Sequence, residues 1–177
     1  EMVRDNALTI SGLLSTKMHG PPVYPPQPGG IWRHVGRNAP KYVVATDEDR
    51  FRRGVYIVWR RGAPYVSFTN FDAPDRGACV VRRPRTNTPL QALTLLNDEA
   101  YVEMALAFAH RITAINEAGL DARIQFAFRT ALSREARPKE INYLKPLLTR
   151  RLAFYQKNPK AAADLVNNIK GWKAPQD

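Results

Sequence analysis

Residues 82–97 read RRPRTNTPLQALTLLN and mark the point at which an irregular, basic stretch becomes a helix. Thr88 followed by Pro89 is typical of a helix start, because threonine caps the first turn and proline at the first helical position loses no hydrogen bond. We expect this helix to be buried nearly all round and to end near Leu96. The leucines that predict it follow at helical spacing: Leu90, Leu93 and Leu96.

The pattern remains helical after this stretch, so residues 88–170 are predicted to be almost entirely helical. Asp98 is expected to cap a second helix, and Asn158, followed by Pro159, to cap the last one. Pro146 should bend or break the helix that Pro138 opens. Breaks between helices are expected near Asn97, between Thr113 and Gly119, near residues 133–137, and at Lys157 and Asn158.

The first half of the chain carries a weaker pattern. Apolar spacing predicts a helix over residues 2–14. Residues 20–30, GPPVYPPQPGG, hold five prolines and three glycines in eleven positions. This segment, called the strap below, must therefore run as extended chain. Its neighbourhood has groups that pack, which disordered linkers seldom carry: Val23, Tyr24, Ile31 and Trp32.

β-branched and aromatic runs at residues 42–44 and 55–59 favour two short strands, although a buried helix also fits the second run. We therefore expect a mainly α protein, a helical bundle with an irregular Pro/Gly/Arg-rich segment and one or two short strands. Residues 1–177 are expected to form a single domain that is a fragment of a larger protein. Residues 1–87 would hold the first helix, the strap and the basic stretch, and residues 88–177 the bundle.

The formal charge is +11, and residues 50–85 hold most of the excess, with nine arginines and two aspartates. Arginine outnumbers lysine 19 to 8. This composition favours groups that fork onto carboxylate, sulfate or phosphate oxygens, or onto backbone carbonyls. A polyanion partner and a folded arginine network both fit.

The basic stretch before the helix is the main candidate site. Its guanidinium groups and the helix start would offer donors to an anion. The interpretation we favour is that the arginines instead serve strap carbonyls while Asn87 and Thr88 cap the helix, with Arg83 or Arg85 substantially buried. The candidate binding residues, for an anion or a protein partner, are Arg76, Arg82, Arg83, Arg85, Thr86, Asn87 and Gln91.

Other reactive side chains have structural interpretations. Asp72 and Asp75 lie in FDAPDRG, which is typical of a turn closed by its own side chains. Cys79 is expected to be buried filler rather than a nucleophile, because no histidine is near it in sequence. Trp32 and Trp59 are expected in an aromatic core where the strap meets the bundle, with stacking on bases or sugars as the alternative.

The sequence offers no pattern for a metal or a membrane span. Its three histidines, His19, His34 and His110, share no ligand spacing, so we predict no metal in this chain. No CxxCH or glycine-rich phosphate loop occurs, and no apolar run approaches the ~18 residues of a membrane helix. A single cysteine forms no internal disulfide.

Over roughly residues 1–170 the sequence resembles the planctomycete PSD1 family, also called DUF1553, in the C-terminal portion of that domain. The resemblance is carried by residues 71–74 (FDAP), by Arg76, Cys79, Arg82 and Arg83, by the run at residues 85–93 (RTNTPLQAL), and by residues 95–98 (LLND). The strap also looks like the family's proline-rich segment.

The resemblance implies a module of a large, exported, multidomain protein that also contains a cytochrome-c-like haem segment. Any haem is expected elsewhere in that parent protein, with no cofactor in this chain. Other domains of the parent protein are then expected partners, together with sulfated or acidic polysaccharide.

Three functions remain open at this point. The first is a non-catalytic structural or binding module with an arginine-rich surface. The second is an enzyme acting on a carbohydrate or sulfated polymer, with Asp72, Arg76, Arg83 and Gln91 around a cleft. The third, nucleic-acid binding, is disfavoured because the arginines are confined to an irregular stretch rather than displayed along a helix. The sequence identifies no catalytic residue.

Overall fold

A computed structural model describes residues 1–34, 41–115 and 119–167. The chain divides into two compact units, Glu1–Ala105 and Leu106–Asp177, with the boundary inside the fourth α-helix. The end of the helical stretch predicted over residues 88–170 lies outside the described residues, which stop at residue 167. In the part of the chain that the structure describes, no helix is both long and apolar enough to cross a bilayer.

The fold is mainly α, as the sequence predicts. The described residues form seven α-helices: α1 Met2–Ser11, α2 Val66–Asn70, α3 Pro89–Asn97, α4 Glu99–Thr113, α5 Leu120–Leu132, α6 Pro138–Lys157 and α7 Pro159–Asn167. The breaks after residue 88 lie where they were predicted. α1 is shorter than predicted, because Gly12 takes a left-handed conformation with φ 81° and ends it.

The predicted strands at residues 42–44 and 55–59 are not found. The first run is irregular, and Gly54–Tyr56 forms a 3₁₀ turn, as do Ile31–His34 and Glu48–Phe51. Among the described residues, β pairing consists of two isolated parallel bridges, Ser15 with Arg52 and Val23 with Ile57. Single bridges replace a sheet because the proline-rich strap has too few N–H groups to continue a ladder.

The strap packs into the first unit, as its apolar residues predict. Val23 is buried in a cluster with Ile57, Tyr65 and Phe68. Its N–H donates to the carbonyl of Tyr56 at 2.8 Å, and its carbonyl accepts from Val58 at 3.0 Å. Tyrosine hydroxyls serve the next strap carbonyls, Tyr42 that of Pro25 and Tyr65 that of Pro26. Trp32 lies edge-on to Tyr24 and Tyr42, in an aromatic cluster formed by the strap and the chain after it rather than by the strap and the bundle.

Buried arginines hold the rest of the irregular chain to α1. Arg4, on the same face of α1 as the core residue Leu8, donates to the carbonyl of Arg52 at 2.7 Å and to that of Arg50 at 2.6 Å. The guanidinium of Arg52 in turn donates to the carbonyls of Lys17 and His19. These arginines do the bracing that the sequence analysis assigned to Arg83 and Arg85.

An ion pair links this network to α4. The guanidinium of Arg50 lies 2.7 Å from the carboxylate of Glu103, and the two side chains are 6% and 4% exposed. Burial raises the pKa of Glu103, while the Arg50 charge opposes that rise. Two neighbouring residues of α4, Ala100 and Tyr101, pack with Leu8 and Met104 in a second core cluster. The irregular segment and α4 are thereby fixed to the same face of α1.

Helix α3 buries polar side chains and exposes its leucines. Its buried side chains are the polar Gln91 and Thr94. Leu90, Leu93 and Leu96 are 56%, 55% and 73% exposed, so the expectation that this helix is buried nearly all round is wrong. The reason is that Gln91 and Thr94 make hydrogen bonds to the rest of the unit, which turn the leucines outward.

The second unit packs α5 against α6 and α6 against α7. Gln125 joins the start of α6 to α5, because its side chain donates to the carbonyl of Ala136 at 3.1 Å and accepts from the N–H of the same residue at 2.8 Å. α6 continues through Pro146, so of the predicted bend or break the break is not found. The side chain of Asn158 donates back to Phe154 in α6, while its carbonyl receives the first N–H groups of α7.

The start of α6 generates a pH prediction. Glu140 accepts two hydrogen bonds from Arg134, at 2.8 and 2.7 Å, and one from the N–H of Arg137 at 2.7 Å. Chiefly through the Arg134 hydrogen bonds, these contacts lower the pKa of Glu140 to about 2. The folded-state pKa is below the unfolded value of about 4.3, so this stabilisation is complete above about pH 4.3 and is lost as the pH falls toward 2.

We expect the side-chain carboxyl of Glu140 to titrate with a midpoint near 2 when followed by NMR. In Arg134→Gln, the midpoint should rise toward the ordinary glutamate value of about 4.3. The same midpoint in the variant as in the parent protein would contradict the assignment of the shift to Arg134.

Candidate anion-binding surface

The basic stretch crosses the surface of the first unit and is pinned at its end by Asp72. This aspartate has a left-handed backbone, φ 60°. The carboxylate accepts from the N–H of Thr86 at 2.7 Å and from its hydroxyl at 2.8 Å. The side chain of Gln91 donates to that hydroxyl at 2.8 Å. Asp72 therefore fixes the segment to the start of α3.

A capping box begins α3. The hydroxyl of Thr88 accepts from the N–H of Gln91 at 3.3 Å, and the Gln91 side chain accepts from the N–H of Thr88 at 3.2 Å. Pro89 has no N–H to offer, so these contacts use most of the donors in the first turn. Any anion held here would therefore rest on guanidinium groups rather than on the helix start.

The four candidate arginines are exposed. The side chains of Arg76 and Arg83 are 51% and 62% exposed, and Arg82 and Arg85 are exposed as well. The expectation that Arg83 or Arg85 is substantially buried is therefore wrong. Tyrosine hydroxyls serve the strap carbonyls of Pro25 and Pro26 instead, and Arg4 and Arg52 serve carbonyls on either side of the strap.

Two of these arginines have partners. The guanidiniums of Arg76 and Arg83 lie 3.1 and 3.4 Å from the carboxylate of Glu1, and Arg76 also stacks on the ring of Trp59 at 4.2 Å. Arg82 and Arg85 make no hydrogen bond or ion pair with any described residue. We call the four exposed residues Arg76, Arg82, Arg83 and Arg85 the arginine surface.

A groove of about 640 Å³ runs beside this surface. The polar residues Glu1, Asp72, Arg82, Arg83, Arg85, Thr86 and Gln91 line it, with apolar walls from Met2, Val3, Phe71, Ala73, Val81 and Pro84. A second depression of about 410 Å³ shares Arg83 and adds Arg76 and Cys79. The structure thus brings together six of the seven candidate residues around two depressions. Asn87 is exposed and lines neither.

The predictions for the Asp75 turn and for the burial of Cys79 have different outcomes. The carboxylate of Asp75 accepts from the N–H of Gly77 at 2.8 Å and closes the turn predicted for FDAPDRG, whereas that of Asp72 bonds Thr86 instead. Cys79 is exposed rather than buried. It lies in the irregular stretch, where no hydrophobic neighbour covers it, so the general preference of free cysteine for the interior is not realised.

The groove has few of the features that an enzyme needs. Both oxygens of Asp72 are engaged by Thr86, and the Glu1 carboxylate is paired with two arginines. Within the described ranges, no three His, Cys, Asp or Glu side chains come together to hold a metal. The absence of a metal from this chain stays a prediction.

The fold and the surface define a mainly helical module with exposed arginines, and the chain belongs to the PSD1 family. The family model that matches it is described as "Protein of unknown function (DUF1553)" and covers residues 1–148, which include the whole arginine surface. No curated protein and no solved structure matches the chain.

The capping box predicts a measurable stability effect. Thr88→Ala removes the acceptor of the Gln91 N–H and should lower the free energy of unfolding by ~1 kcal/mol and the melting temperature by a few degrees. Thr149→Ala, an exposed substitution inside α6, is the matched control and should cause no loss. Equal melting temperatures for Thr88→Ala and the parent protein would mean that α3 does not depend on this cap.

Proposed function

We propose that the chain is a non-catalytic binding module that holds an acidic partner on its arginine surface. The observation that carries this proposal is that Arg82 and Arg85 are exposed at the edge of the groove and have no partner among the described residues. A guanidinium that braces a fold is buried against carbonyls, as Arg4 and Arg52 are. Arg82 and Arg85 are instead available to another molecule.

The local charge supports the same function. Residues 50–85 carry a net charge of +7, and within them the buried Arg50 and Arg52 have structural roles. The exposed remainder makes a field that attracts acidic polymers and raises their rate of association. Arginine also presents a planar fork of donors that matches carboxylate or sulfate oxygens in pairs. The partners that fit are a sulfated or acidic polysaccharide and the acidic face of another domain of the parent protein.

The alternatives have less support. A carbohydrate-active or sulfated-polymer-active enzyme would need a free carboxylate in the groove, but Asp72 is held by Thr86. Nucleic-acid binding is disfavoured because the arginine surface lies on irregular chain and not on a helix that would enter a groove.

Family resemblance is the basis for the wider setting that we propose. In that setting the chain is the C-terminal portion of a PSD1 domain of planctomycete origin, within an exported, multidomain protein. Haem would be bound elsewhere in the parent protein, with no cofactor in this chain.

Retention on a heparin column over a salt gradient tests the arginine surface. Arg82→Gln/Arg85→Gln should elute at lower salt than the parent protein, and the slope of log affinity against log salt should fall by about 1 to 2. The doubly substituted protein should fold normally, with an unfolding free energy within ~0.5 kcal/mol of the parent value.

Arg150→Gln/Arg151→Gln, at exposed positions of α6, removes the same charge elsewhere and is the matched control. Equal retention losses for the two pairs would mean that net charge alone binds heparin, and the proposal would fail. A parallel DNA column tests the nucleic-acid alternative, which predicts a loss on DNA larger than that on heparin.

A further inference from the structure

Helix α3 carries its apolar side chains on the outside. Leu90, Leu93 and Leu96 are each more than half exposed and recur every three residues, whereas Gln91 and Thr94 are each 8% exposed. We call the three leucines the leucine face. A surface helix ordinarily turns its apolar side toward the core, so this face is the reverse of the usual arrangement.

Hydrogen bonds fix the helix in this orientation. The side chain of Gln91 donates to Thr86 at 2.8 Å, and the hydroxyl of Thr94 accepts from the side chain of Asn70 at 3.0 Å. Turning α3 to bury its leucines would break both contacts and leave the polar groups unsatisfied or exposed. The outward leucines are therefore part of the built structure of the first unit.

The leucine face follows the arginine surface along the chain, since Arg85 precedes Leu90 by five residues. Gln91, the neighbour of Leu90 in the sequence, lines the groove together with Arg82 and Arg85. Apolar side chains extend along that groove, since Met2 is 85% exposed and Val81 is fully exposed. An occupant that covers Leu90 and extends past the N-terminal end of α3 can therefore reach Arg85 and Arg82, which have no partner among the described residues.

This combination of charges selects among occupants. A polysaccharide would pair with the arginines but leave the leucines in water. A second copy of the chain, with net charge +11, would bring further positive charge to the same arginines. An amphipathic helix covers leucines at helical spacing, and carboxylates at its edge pair with arginine.

We propose that the leucine face, with Arg82 and Arg85, docks an acidic amphipathic helix of a partner protein. The inference deepens the proposed function and rests on it, because the arginine surface supplies the charge preference. It adds that the acidic partner is a polypeptide and that α3 is its apolar seat.

Selection from a displayed peptide library tests the inference. The peptides have about 15 residues, enough for a helix to form on binding. Their apolar positions recur every three or four residues, and their other positions are randomised among Glu, Lys, Gln and Ser. The target is the whole chain. We expect enriched peptides to favour Glu over Lys, and their binding to weaken about tenfold for Leu93→Gln.

Leu132→Gln is the matched control, since Leu132 and Leu93 are both 55% exposed, and it should bind as the parent protein does. If Leu93→Gln does not fold, Leu96→Gln is the second test variant, and it should weaken the binding of the enriched peptides in the same way. No enrichment, enrichment without an excess of Glu, or binding indifferent to both leucine variants would overturn the inference.

Heparin retention separates this failure from failure of the proposed function. Leu93→Gln keeps the net charge and should elute from heparin with the parent protein. If Arg82→Gln/Arg85→Gln loses retention but no leucine-dependent peptide is found, the arginine surface stands and the helix-docking inference falls. If the arginine pair is without effect on heparin, the proposed function itself fails.

Discussion

The first unit depends on supplying hydrogen-bond donors to backbone carbonyls that have no regular secondary structure to pair with. Between α1 and α2 the described residues form only 3₁₀ turns and isolated bridges, and the strap is rich in proline, which has no N–H to donate. Buried carbonyls without donors are costly, so side chains must take over. Arg4 serves two carbonyls at once, those of Arg50 and Arg52, and this one guanidinium joins α1 to the middle of the irregular chain.

The rest of the unit is built outward from that contact. Arg4 donates to the carbonyl of Arg50, and the guanidinium of Arg50 pairs with Glu103 of α4. Arg52 donates to the carbonyl of His19, just before the strap. These inner carbonyls have their donors in Arg4 and Arg52, so Arg82 and Arg85 are not needed as donors to them. Arg82 and Arg85 therefore lie on the surface, whereas Arg4 and Arg52 are buried where they donate to carbonyls. The proposed binding role follows from this division.

The sequence predicted the elements whose signals are local. Caps and prolines placed the helices after residue 88, and the composition of the strap predicted extended chain that packs. Two features depended on tertiary contacts. The buried arginines were predicted wrongly, although two sequence patterns could have indicated them. Arg4 shares a helix face with Leu8, and Arg50 and Arg52 flank the apolar Phe51. The outward turn of α3 followed from the hydrogen bond of Thr94 to the distant Asn70 and from that of Gln91 to Thr86, and helical periodicity reports neither contact.

The most direct measurement is the free energy of unfolding of Arg4→Lys beside Arg83→Lys. Lysine keeps the charge but loses the planar fork, so it cannot reach the carbonyls of Arg50 and Arg52 together. Denaturant unfolding should show a loss of ~1–3 kcal/mol for Arg4→Lys and a change within ~0.5 kcal/mol for the exposed Arg83→Lys. An Arg4→Lys protein as stable as the parent, or a larger loss for Arg83→Lys than for Arg4→Lys, would contradict the division between bracing and surface arginines.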